Sequence, residues 1–238
     1  MDGVLADMET ALAAIAGQEF GVAIRKAAQS DESAAVAEGA ATADTSAADS
    51  HQEPFAAAVP RNLSSRQQTR LWERVATTRN FWETLEEHEP GTVRHLQKLA
   101  HELRWDVLFV TQRPATAGRT IQLQTQRWLR HHGFEYPSVY TTQGSRGRIA
   151  AALTLDAHVD DRLEHCVDVS TDSKAWPILV WRDDASFARI ASGAKKINIA
   201  IVGTVREALD HIEEAARGGA ARKSTRSLLE RLKRSFGP

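Results

Sequence analysis

Apolar residues recur at helical spacing in two stretches of the chain and in short unbroken runs further on. Leu71, Trp72 and Val75 share one helix face behind Ser64 and Ser65, either of which can cap its start. Phe81-Trp82-Glu83-Thr84-Leu85 follows and ends at Pro90-Gly91. Val93, Leu96, Leu99, Ala100 and Leu103 predict a second amphipathic helix over 92–103. The period then changes. Residues 106–111 form an apolar run entering the polar loop Gln112-Arg113-Pro114, as a buried parallel strand ends. A helix is predicted over 116–132, with Ile121, Trp128 and Leu129 inward and Gly133 as its stop. Further strands are predicted at 138–140, 157–159, 178–181 and 197–202, with helices over 148–155 and 205–216.

Strands that alternate with helices predict an α/β fold, a doubly wound parallel sheet with helices on both faces. Ligands of such sheets sit outside the carboxyl ends of the strands. That directs attention to Thr111-Gln112-Arg113, Gln143 to Arg146, Asp160-Asp161 and Arg182-Asp183, a set rich in carboxylates and guanidiniums.

Two segments break the pattern. Residues 25–60 are mostly Ala, Ser, Asp, Glu and Thr, with Phe55 the sole aromatic. Too little apolar area is present to offset the entropy of ordering, so a disordered insertion is expected. Residues 217–238 carry seven Lys and Arg against Glu230, a formal +6. This reads as a solvated terminus or a weak anchor to an anionic surface. Over the whole chain charge is even: 30 Lys+Arg against 31 Asp+Glu, net −1, which argues against a nucleic-acid polymer as partner. Cys166 is the only cysteine, so no intramolecular disulfide can form. No apolar run nears the roughly 18 residues of a membrane span. The start, with Asp2, Asp7 and Glu9, does not read as a secretory signal, so a cytoplasmic protein is expected. Oligomeric state is left open.

Each candidate site has a plain alternative. Asp160-Asp161 at a strand end can hold a hard cation such as Mg²⁺, or cap a turn. Thr111 can hold a phosphoryl oxygen, or only lead into a helix. Gly3 after Asp2 allows a tight turn that brings backbone close to a ligand. Phe81 and Trp82 can stack on a nucleobase, or pack in a core.

Taken in order, these pieces resemble the phosphatases of the haloacid dehalogenase superfamily. Asp2-Gly3-Val4-Leu5-Ala6-Asp7 resembles the first motif, Val107 to Thr111 the second, and His158-Val159-Asp160-Asp161-Arg162 the fourth. Arg146 or Arg148 falls where the third motif has Lys. Phe81-Trp82 and the Asp-Asp-Arg ending look most like the 5′(3′)-deoxyribonucleotidases. The resemblance covers residues 1–24 and 62–216. It implies a small helical cap inserted after the first motif, giving core start and cap entry (1–24), insertion (25–60), cap (61–95), core (96–216) and basic tail (217–238). It also implies Mg²⁺-dependent hydrolysis of a small phosphomonoester, a (deoxy)nucleoside monophosphate, through a phospho-aspartate. Asp2 would be the acid/base and, through its carbonyl, a metal ligand. Asp160 and Asp161 would serve the metal, and Thr111 and Arg146 the phosphate. Phe81, Trp82, Gln112 and Arg113 would meet the rest of the substrate. The family's nucleophile stands two residues before Asp2, at the end of a central strand. The resemblance therefore implies an upstream start, and an inactive chain without it. Two other readings stay open: a non-catalytic phosphate-binding or scaffold protein, and a phosphatase of another metabolite.

Overall fold

The structure, a computed structural model, describes residues 1–21 and 63–218. The expected insertion at 25–60 and the tail beyond 218 lie outside the described residues.

Helix α1 spans Met8–Phe20 and starts where the Asp7 carboxylate accepts the Thr10 N–H at 2.9 Å. It buries Met8, Leu12 and Ala16, one residue per turn. Helix α2, Ser65–Thr77, begins with a full capping box between Ser64 and Gln67 and buries Leu71 and Val75. A 3₁₀ turn at Phe81–Glu83 leads towards α3, Thr92–Leu103. That helix buries Val93, Leu96, Leu99 and Ala100, as the spacing predicts. It is one continuous element that runs across the expected boundary between residues 95 and 96.

Five short strands follow, each joined to the next by a helix: β1 (Leu108–Thr111), β2 (Ser138–Thr141), β3 (Ala157–Asp160), β4 (Trp176–Val180) and β5 (Ala200–Val202). The connecting helices are α4 (Ile121–His131), α5 (Arg146–Ala152), α6 (Leu163–Asp172) and α7 (Asp184–Lys196). A helix over 205–218, α8, closes the described chain. Thr120, whose hydroxyl accepts the Leu123 N–H, caps helix α4, whose first residue Ile121 stands five residues later than the spacing predicts. Gly118, at φ +103°, turns the chain just before that cap, and its missing Cβ leaves room for the Asn80 side chain.

All strand pairs are parallel, which confirms an α/β class. The sheet differs from expectation. β1 pairs with β2, and β3-β4-β5 form a separate sheet. Among the described residues no strand bonds to the second edge of β1 or of β3. The two sheets still share one core: Phe109 and Val139 of the first sheet join Ile178, Val180 and Val202 of the second. Leu12, Leu71, Val75, Phe81, Trp82 and Trp128 belong to the same cluster, so the segment expected to form a cap is packed into the body. Side chains alternate across β4. Leu179 and Trp181 face a second cluster with Leu163, Cys166, Ile190, Ala194 and Ile199, where α6 and α7 cover the sheet. Among the described residues no helix is long and apolar enough to cross a membrane.

Candidate active site at the strand ends

Residues 1–6 fold into a tight turn across the carboxyl ends of β1 and β3. Gly3 N–H donates to the Ala6 carbonyl at 3.0 Å, and the Leu5 and Ala6 N–H groups donate to that of Met1. The turn is tied to the segment returning from the helices: Asp7 N–H donates to Glu86 O and His88 N–H to Leu5 O. Gly3 has φ +72°, and a Cβ there would stand 1.9 Å from Asp161 Oδ2. Only glycine permits both this backbone conformation and the approach of that carboxylate.

Asp2 is held from the β1 side. Thr111 Oγ1 donates to its Oδ2 at 3.1 Å, and Arg113 Nε donates at 2.9 and 3.0 Å while Nη2 also grips Oδ1. Arg113 is itself immobilised. Its side chain has no exposed surface, Nη1 donates to Thr125 Oγ1 at 2.9 Å, and the guanidinium lies 4.8 Å over the Trp82 ring. Burial works against the Asp2 charge, but the adjacent guanidinium and its hydrogen bonds outweigh it, so the carboxyl lies below its usual range.

The β3 side carries Asp160 and Asp161. Asp160 Oδ2 lies 3.2 Å from His158 Nε2 and 3.0 Å from His165 Nδ1, and Oδ1 accepts the Arg162 N–H at 3.0 Å. Against the cost of burial, the two imidazoles hold the Asp160 carboxyl well below the usual range. Asp161 behaves oppositely: burial, then the charge of Asp160, pushes its carboxyl up to about 7. Two adjacent carboxylates are thus driven apart in acidity by their surroundings.

Arg146 at the start of α5 is buried, and burial lowers its pKa against the attraction of Asp160. Arg148 is exposed, so of the two arginines Arg146 is the one drawn towards Asp160. Gln112 is half-buried.

The structure places Phe81 and Trp82 in the interior. Their exposures are 4% and 0%; Trp82 Nε1 donates to Pro114 O, and its ring face is covered by Arg113. They are core residues here, and neither ring face is presented to a base. Arg113 is likewise occupied by Asp2 rather than open to a substrate. Reasoning from the sequence missed His158 and His165. Their spacing of seven crosses from a strand onto a helix, so no single period shows that they converge. A surface cavity of about 430 Å³, lined by Glu83, Arg127, Trp128, Arg130 and His131, shares no residue with this cluster. Among the described residues no group of three or more His, Cys, Asp or Glu side chains is arranged to hold a metal ion.

The fold and this cluster define a parallel α/β protein with a carboxylate-rich site at its strand ends. Comparison with protein-family models, curated proteins and solved structures found no match.

Proposed function

We propose that the chain forms most of a Mg²⁺-dependent phosphomonoester hydrolase of the haloacid dehalogenase type, acting on a small metabolite such as a (deoxy)nucleoside monophosphate. The observation that carries this reading is the meeting of three distant segments: Asp2 bonded to Thr111, and Gly3 pressed against Asp161, at the carboxyl ends of β1 and β3. Among the described residues the second edges of those two strands are unpaired, which leaves room for the further central strand that the resemblance implies. In this reading the attacking carboxylate is an aspartate two positions before Asp2, reached by extending the chain at its start. With Phe81 and Trp82 in the core, the nucleotide assignment rests on the motif resemblance alone.

Asp160 and Asp161 are the hard oxygen donors that a divalent ion would use, and one or two carboxylates suffice for Mg²⁺. Burial and Asp160 hold the Asp161 carboxyl up at about 7, and a divalent ion beside it would favour its ionised form. When bound, Mg²⁺ supplies neutralisation of the charge on the phosphoryl oxygens. The remaining roles fall to the chain. The Thr111 hydroxyl, now on Asp2, can turn to donate to a phosphoryl oxygen. Arg146 supplies a buried positive charge near Asp160. Asp2 moves a proton to and from the leaving oxygen.

A second reading has its own support. Arg113 keeps Asp2 ionised, and an ionised carboxylate is a poor proton donor. This favours a protein that binds phosphate without cleaving it. Hydrolysis of p-nitrophenyl phosphate with Mg²⁺ separates the two. The hydrolase reading expects no turnover from residues 1–238 alone. It expects turnover from a chain extended by its upstream codons, abolished by Asp2→Asn. An extended chain with no turnover, but with Mg²⁺-dependent phosphate binding, would establish the second reading.

A further inference from the structure

The loop that carries Asp2 is held from one more direction, by a residue the proposed chemistry does not use. Arg182 lies two residues beyond the end of β4. Its Nη1 donates to the Gly3 carbonyl, and its Nη2 donates to the Val4 carbonyl at 3.1 Å and to Glu89 Oε1 at 2.9 Å. Glu89 in turn accepts the Val205 N–H at 2.8 Å and the Arg206 N–H at 3.2 Å, at the first turn of α8. Burial disfavours the Glu89 charge, yet these N–H groups and Arg182 hold its carboxyl below the usual range. A carboxylate at a helix N-terminus gains from the exposed N–H groups and the helix dipole. Glu89 is therefore fixed by the helix start, and it fixes the guanidinium.

We propose that Arg182, oriented by Glu89, is the positioning residue of the Asp2 loop. Its planar fork spans two successive carbonyls, so it sets both the height and the rotation of the turn above the strand ends. Thr111 and Arg113 grip the Asp2 side chain from β1. Arg182 grips the backbone immediately after it from β4. The Asp2 carboxylate is located by the two together. The same pair joins three parts of the chain: the first turn, the segment returning from the helices at 86–89, and the start of α8. A lysine cannot do this. It presents one compact charge and cannot reach two carbonyls and a carboxylate in one plane. The inference stands on the loop geometry and holds whether or not the site cleaves phosphate, so its failure and that of the hydrolase reading are told apart.

The test is hydrogen–deuterium exchange on the full chain, read by peptide. The Gly3, Leu5 and Ala6 amides all lie in the held turn. Arg182→Lys should speed exchange across residues 1–7 by about tenfold or more, the loss of two charge-assisted bonds, and leave β4 and α6 at wild-type rates. Glu89→Gln should do the same in 1–7 and also speed exchange at Val205 and Arg206. Arg182→Lys should leave those two amides slow, because Glu89 still accepts them. Wild-type exchange in 1–7 for both variants would overturn the proposal. So would an equal rise in 1–7, β4 and α6, which would make Arg182 a general stabiliser of the fold. If Arg182→Lys does not fold, Glu89→Gln alone decides: fast exchange at 205–206 with slow exchange in 1–7 would refute the coupling.

Discussion

Replacing Asp161 by Asn removes an ionisable group that the fold holds against its preference. In the folded chain its carboxyl is raised from an ordinary 3.8 to about 7, by burial and then by Asp160. The folded state therefore keeps a proton that the unfolded chain releases above about pH 4. Stability tied to this group is fully present below that pH, is lost as pH rises towards 7, and stays lost above it. A shift of about three pH units corresponds to at most about 4 kcal/mol. The residue is half-buried, so water screens part of the charge, and about 2 kcal/mol is the working figure. Asn keeps the shape and never ionises. Asp161→Asn should thus melt about 4–8 °C above the parent at pH 8, given about 2–4 °C per kcal/mol for a protein of this size. At pH 3.5, below the ordinary carboxyl pKa, the two should melt together. The measurement is thermal unfolding by circular dichroism at both pH values. A variant less stable at pH 8, or equally stabilised at both, would refute the account of Asp161. Adding Mg²⁺ at pH 8 should stabilise the parent and not the variant if that carboxylate holds the ion.

Other substitutions probe the same architecture. Arg113→Met leaves the buried Asp2 charge without its partner and should cost about 3–5 kcal/mol in urea unfolding. Adding Asp2→Asn should recover part of that loss, and its failure to do so would mean that Arg113 acts through Trp82 and Thr125 instead. Gly3→Ala puts a methyl group into the Asp161 carboxylate at a backbone angle L-residues avoid, so it should lower the melting temperature. The double variant with Asp161→Ala should lose less. Trp82→Ala empties a site with no exposed surface and should cost about 3–5 kcal/mol. A wild-type melting temperature for this variant, together with weaker nucleotide binding, would restore Trp82 as a base platform.

Much of the fold was legible where one signal dominated. The helix at Thr92–Leu103 repeats its apolar residues without interruption, and β1 is a compact apolar run. The helix at Met8–Phe20 was not seen because alanines blur its stripe: Met8, Leu12 and Ala16 face inward, yet Ala11, Ala13 and Ala14 surround them. Helix α6 carries Leu163, Cys166 and Val169 at helical spacing, but in only ten residues with three acidic ones, too short for the period to stand out. At the site, Thr111 and Asp160-Asp161 were legible because each follows an apolar run that reads as a strand, and Asp2 because the Asp-Gly turn stands in a run that resembles a known motif. The fates of Arg113 and Trp82 were not. An Arg-Pro loop and a Phe-Trp pair are equally compatible with open and buried placements, and only the packing of α4 against the 3₁₀ turn decides. The division into two sheets was also hidden, because pattern marks strands and does not say which edges meet.

The first turn has a cost in time. Residues 2–4 are secured by Thr111, Arg113 and Arg182, partners 109 to 179 positions away. Loops of that length close slowly, and none of these bonds can form until the partner has been synthesised. At about 5–20 residues per second, the turn waits on the order of ten to forty seconds for Arg182 to be made. During that interval its amides are open to water, proteases and chaperones. Ordering of the turn is therefore a late step of maturation, and any site built on Asp2 is completed only once nearly the whole described chain is in place.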